Sequence, residues 1–101
     1  MVARRWRGVI PAEKAEEYTE YLNQTGVRDY RATPGNRGVF VLRRMDGDRA
    51  IFEIFTLWDS LDAIRAFAGD DIERARYYPG ADDYLLDREP TVDHFDVMVQ
   101  G

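Results

Sequence analysis

His94 is the single histidine among 101 residues, and it sits in PTVDHFDVMV, a run in which apolar and polar residues alternate. Its ordinary pKa near neutrality makes it the natural group to take up or release a proton at physiological pH. Strand alternation places it with Val92, Asp96 and Met98 on one face, and Phe95, Val97 and Val99 on the other. The second set is the better core face. His94 is therefore expected to point away from any helical layer, toward a pocket or an interface. The competing role is a strand histidine hydrogen-bonded to a neighbour.

Other groups could share such a pocket. Arg4, Arg5 and Arg7 surround Trp6 in ARRWRGV. On an outward face these arginines are solvated. Inside a pocket, Arg5 and Arg7 could hold an anionic or enolate oxygen. Trp6 and Trp58 could stack on an aromatic ligand, although hydrophobic core is the favoured role for both. In RYYPG, Tyr77 and Tyr78 could hydrogen-bond a phenol at a pocket lip, or pack down a loop ahead of Pro79. The acid pairs Asp70-Asp71 and Asp82-Asp83 lack the glycine and spaced oxygens of a calcium loop. No phosphate-cradling loop, dinucleotide fingerprint or nucleophile elbow occurs. One histidine and no cysteine make a zinc site improbable, and no disulfide can form.

The elements that must position these groups change period in a definite order. Residues 2–10 alternate as a strand. Pro11 opens a helix in which Ala15, Tyr18 and Leu22 recur at helical spacing, with Gly26 as its C-cap. A loop, VRDYRATPGN, leads to the strands RGVFVLRR and RAIFEIFTLW, joined at the Asp46-Gly47 hairpin signal. Ser60 or Asp59 caps a second helix carrying Leu61, Ile64 and Phe67, which Gly69 ends. DDIERARYYP is expected to add one or two turns, DYLL a short edge piece and TVDHFDVMV the last strand. The order β-α-β-β-α-β is that of an α+β ferredoxin-like unit with an antiparallel sheet.

Length permits one domain, residues 1–101, and a formal charge of −5 opposes nucleic acid and anionic membranes as partners. No apolar run approaches a membrane span, so a cytoplasmic protein is expected. Both sheet faces are apolar: Val39 and Val41 go with Phe52, Ile54 and Trp58, and Phe40 and Leu42 with Ile51, Phe55 and Leu57. Two helices cover one face only. A second copy is the expected cover for the other, giving an isologous homodimer.

FTLWDSLDAIRAFAGDDIERARYY, the element order and the closing TVDHFDV resemble the antibiotic-biosynthesis-monooxygenase-like proteins of the dimeric α/β-barrel superfamily. The resemblance covers essentially the whole chain and is more specific for fold than for activity. It implies a pocket between sheet and helices that takes a small apolar or aromatic molecule. Some members oxygenate hydroxyaromatics without metal or flavin, others bind and degrade haem, and many have no assigned activity. The haem-degrading branch carries an asparagine, a tryptophan and a haem-ligating histidine near the positions of Arg5, Phe67 and Tyr77, and all three differ here. A tyrosinate at Tyr77 could ligate iron. The resemblance thus leads to an expectation of no cofactor, with haem disfavoured, and of an oxygenase in which His94 removes a phenolic proton. Its rival is a non-catalytic protein that binds a hydrophobic metabolite or haem.

Overall fold

A computed structural model describes residues 1–101. Strand β1 (Val2–Pro11) leads through a single 3-10 turn to α1 (Ala15–Gln24) and α2 (Gly26–Ala32). The hairpin β2 (Asn36–Asp46) and β3 (Arg49–Trp58) follows, then α3 (Leu61–Ala68) and the short strands β4 (Asp87–Arg88) and β5 (Asp93–Asp96). The antiparallel sheet runs β2-β3-β1, with β4 and β5 both pairing the far edge of β1. This is the ferredoxin-like α+β arrangement that the order of elements predicts. No helix is long and apolar enough to cross a membrane.

The hairpin turn falls on Gly47 and Asp48, with Asp46 opposite Arg49 and Gly47 at φ +60°. The expected turn lay one residue earlier. The shift moves the register by two residues, so the face sets survive. Val39, Val41, Phe52, Ile54 and Trp58 face the helices, where Phe52 and Trp58 are fully buried among Tyr18, Leu22, Tyr30, Ile64 and Phe67. The other face carries Phe40, Leu42 and Phe95, each about half exposed, with Ile51, Phe55 and Leu57 half-buried between them.

Three local expectations are corrected. Gly26 does not end a helix. Thr25 breaks the helical run (φ −119°, ψ −94°), and Gly26 begins α2. The supposed loop is helical because Val27 and Tyr30, one turn apart, bury against the core. Residues 70–79 add no helix beyond Gly69, which sits at φ +88°. They run back along the sheet edge instead, where Arg74 bridges Thr91 and the Ala75 amide donates to the Pro90 carbonyl.

A fourth correction concerns β5. Its register sets His94 opposite Arg4 and Phe95 opposite Ala3. Opposed residues share a face, so His94 points toward the helices and Phe95 toward the open face. The alternation is right and the assignment of its two faces is reversed. Phe95, Val97 and Val99 are apolar like core residues, so hydrophobicity along the strand does not tell the open face from the covered one.

Candidate functional site

Between the sheet and the helices lies a small chamber of about 40 Å³. Arg4, Trp6 and Ile54 form its floor, Leu22, Thr25 and Tyr30 one wall, and Arg76, Tyr77, Tyr78 and Val92 the roof from the segment after α3. Aromatic rings set its shape. The Trp6 Nε1 donates to the Tyr77 hydroxyl at 2.8 Å, and that hydroxyl donates to the Glu89 carbonyl at 2.5 Å. Gly8 makes the first contact possible, because a Cβ there would lie 2.3 Å from the Trp6 ring. Tyr30 stacks on Phe67 with centroids 4.3 Å apart. Tyr78 donates to Asp29 at 2.6 Å, which holds the Asp29 carboxyl below its usual range. Burial raises the phenols of Tyr30, Tyr77 and Tyr78, so all three are protonated at neutral pH.

Arg4 is the exceptional group. It is 2% exposed and makes no ion pair. One terminal nitrogen donates to the Arg74 carbonyl at 3.1 Å, and the guanidinium lies 5.7 Å from the Phe67 ring centroid. Its Nε is buried with no partner. Burial pulls its pKa below the ordinary arginine value, and the Tyr30 hydroxyl beside it offsets only part of that. A buried cation without a counter-ion costs several kcal/mol, which a bound anion would offset.

His94 stands beside Arg4 but does not line the chamber. Its imidazole nitrogens are buried and unpartnered, and Glu73 at 3.6 Å is too distant for a hydrogen bond. Burial lowers its pKa and Arg4 lowers it further, against the opposing carboxylates of Glu73 and Asp93. A histidine kept neutral by the fold binds more protons when the chain unfolds. Stability is then complete above the ordinary histidine value of 6.5 and falls as pH drops below it, until the depressed folded value is passed. Urea midpoints measured from pH 8 to pH 5 are expected to decline more steeply for the parent than for His94→Gln. Parallel curves would show that His94 does not carry the slope.

Of the other residues singled out by sequence, Trp6 and Tyr77 do meet in the chamber. Trp58 lies fully buried beneath Tyr30 and Phe67 as core, its Nε1 donating to Thr56 at 2.8 Å. Arg5 and Arg7 occupy the opposite sheet face. Arg5 pairs there with Glu53 at 3.4 Å and Asp93 at 3.5 Å, and Arg7 stands across from Glu53. Neither reaches the chamber. Arg4 was the arginine that sequence reasoning passed over, and its signal was parity: it shares a face with Trp6.

No protein-family model matches the chain, and no curated protein matches it. Solved structures do. A point mutant of MhuD with two manganese protoporphyrin IX bound per active site is 20% identical, over 100% of this chain and 98% of that one, with a TM-score of 0.69. The heme-degrader MhuD from Mycobacterium tuberculosis, with two hemes in its active site, is 20% identical over 100% and 99%, with a TM-score of 0.64. A Bacillus cereus protein provisionally assigned as an antibiotic biosynthesis monooxygenase is 11% identical over 99% and 93%, with a TM-score of 0.56. At these identities the likeness establishes a common fold, the ferredoxin-like α+β fold. It also corrects the expectation of no cofactor with haem disfavoured. The finding that overturns it is that structures matching this chain end to end hold haem or a metalloporphyrin.

Proposed function

We propose that this chain is a small-molecule protein of the monooxygenase-like group, and that it binds a planar, carboxylate-bearing aromatic ligand, a tetrapyrrole such as haem, between sheet and helices. The observation that carries this reading is Arg4: a buried, unpaired guanidinium in the floor of an aromatic chamber. Apolar walls with a few convergent polar groups are what small-molecule sites generally present. Part of the donor set fits a metalloporphyrin in kind, with Trp6 and Tyr30 for its faces and Arg4 and Arg76 for its carboxylates. Tyr77 or Tyr78 would ligate the metal only after losing the phenolic proton that burial holds. The chamber does not fit it in size. About 40 Å³ admits water only, against roughly 300–1,000 Å³ for a ligand pocket. Binding therefore requires the roof to lift. The roof belongs to the segment that follows α3, and Gly69 and Gly80 flank part of it at φ +88° and +91°. When bound, haem would supply oxygen binding and electron transfer. His94 would act as a positioning residue behind Arg4. A hydroxyaromatic bound as its phenolate is the second reading, favoured by the same buried guanidinium.

The partner in this proposal is a second copy. Phe40, Leu42 and Phe95 are 52%, 47% and 46% exposed on one sheet face, with Ile51, Phe55 and Leu57 beside them and the Arg5 pairs with Glu53 and Asp93 among them. Native mass spectrometry of the protein titrated with hemin tests both parts. The expected spectrum is a dimer that gains hemin mass, with a shifted Soret band in parallel. A monomer at micromolar concentration would overturn the dimer. An unshifted Soret band and no added mass would overturn the tetrapyrrole.

A further inference from the structure

Beside the chamber, and sharing Arg76 and Tyr77 with it, runs an open groove of about 580 Å³ lined by Ala68, Arg74, Ala75, Arg76, Tyr77, Arg88 and Pro90. Three of these seven residues are arginines and none is acidic, in a chain whose net charge is −5. Two of the arginines are already engaged. Arg88 pairs with Asp82 and lies over the Tyr77 ring at 4.7 Å, while Arg76 reaches Asp29 at 3.5 Å and packs over Phe67 and Tyr78 at 4.8 Å each. Arg74 makes no ion pair; only its backbone is used, its carbonyl accepting from Arg4. The extended backbone explains the grouping. Arg74 and Arg76 are two residues apart, and the main chain between them is fastened to Pro90.

We infer that this groove is a subsite for an anionic substituent, a carboxylate or phosphate, of a ligand whose aromatic body enters the chamber. The inference rests on the reading of the chamber as a ligand site and adds where the charged tail goes. Guanidinium groups suit this task because their planar fork matches a carboxylate or phosphate in two parallel hydrogen bonds. The shared wall supplies continuity. Tyr77 presents its hydroxyl to Trp6 inside the chamber and its ring to Arg88 in the groove. Lifting Tyr77 would join the two spaces, and the groove alone is already of a size that small molecules occupy. One carboxylate of a tetrapyrrole, or a second acid group on a smaller aromatic, would lie along Arg74 and Arg88, leaving the other to Arg4 in the chamber.

The test compares protoporphyrin IX with its dimethyl ester, and titrates pyrophosphate in parallel, against the parent, Arg74→Gln and Arg88→Gln. Arg74 is exposed and makes no ion pair, so Arg74→Gln removes no pair that holds the fold, and a thermal melt matching the parent's checks this. The expected result is that the free acid binds the parent about ten- to a hundred-fold more tightly than the ester, as charge-assisted hydrogen bonds allow. Each glutamine variant should lose most of that preference while still binding the ester. An acid preference that persists undiminished in both glutamine variants would overturn the subsite and leave the tetrapyrrole reading, with its carboxylates on Arg4, standing. Equal binding of acid and ester by the parent would overturn both. If neither porphyrin binds but pyrophosphate does, with loss in Arg74→Gln, the tetrapyrrole falls and the anion subsite stands. If nothing binds, both fall.

Discussion

Replacing Arg4 with methionine is expected to make the ligand-free protein more stable and to abolish tight binding of an anionic aromatic ligand. Methionine keeps a flexible apolar stem of similar length and removes the charge. What is lost is one hydrogen bond to the Arg74 carbonyl, about 1 kcal/mol, and a cation–aromatic contact with Phe67 worth about 0.5–1 kcal/mol. What is relieved is the desolvation of a guanidinium that is 2% exposed, has no carboxylate partner and leaves its Nε unpaired, a cost of several kcal/mol. The balance favours the variant by about 1–4 kcal/mol, the range seen when buried charges give way to apolar groups. At roughly 4–8 °C per kcal/mol for a domain of this size, the change is readily seen in a thermal melt. A higher melting temperature together with lost hemin binding would identify Arg4 as a residue retained for its ligand at the expense of the fold. A lower melting temperature would mean that the folded chain already satisfies the guanidinium, and the anionic ligand would lose its main support.

Trp58→Ala should have the opposite character: a large loss of stability that ligand cannot recover. Trp58 is fully buried between the sheet and the Tyr30–Phe67 pair, and its Nε1 satisfies the buried Thr56 hydroxyl. Truncation of a buried tryptophan typically costs about 3–5 kcal/mol. A domain's whole stability is about 5–15 kcal/mol, so the variant is expected to be largely unfolded or to unfold at a much lower urea concentration. Trp58→Phe should lose distinctly less, since an aromatic ring remains against Phe67. If Trp58→Ala instead keeps its urea midpoint and loses only hemin binding, Trp58 belongs to the ligand site and not to the core.

The sequence made some of this legible and hid the rest for identifiable reasons. Alternation in VFVLRR and IFEIFTLW specified both sheet faces, and it did so despite a turn placed one residue away, because a two-residue slip preserves parity. Trp58 as core followed from its place at the strand–helix junction. The orientation of His94 did not follow, because Phe95 belongs to an apolar face that no element of the same chain covers. Helix α2 was concealed by turn-forming residues, although Val27 and Tyr30 stood at the right spacing. The chamber's central cation was concealed by its setting. In ARRWRGV, three arginines look alike, and only their parity relative to Trp6 separates the one that is buried from the two that lie on the open face. Nor could composition show that residues 70–79 return along the sheet edge, since their hydrogen bonds go to residues about fifteen positions later.

The position of β1 in the sheet has a consequence for how the chain assembles. The β2–β3 hairpin closes over a two-residue turn and can form early and locally, whereas Trp6 meets Ile54 across about half of the sequence and Arg4 meets His94 across nearly all of it. Non-local pairings of this kind slow folding, because the entropy of closing a long loop is lost before the contacts that reward it are made. β1 is the first strand and is flanked on each side, so its two edges stay unsatisfied until the hairpin docks on one and β4 and β5 on the other. The buried environment of Arg4 is among the last features to be completed. In refolding monitored by pulsed hydrogen exchange, protection of the hairpin amides is therefore expected to precede protection of β1 and β5, with the ligand site appearing in the final phase.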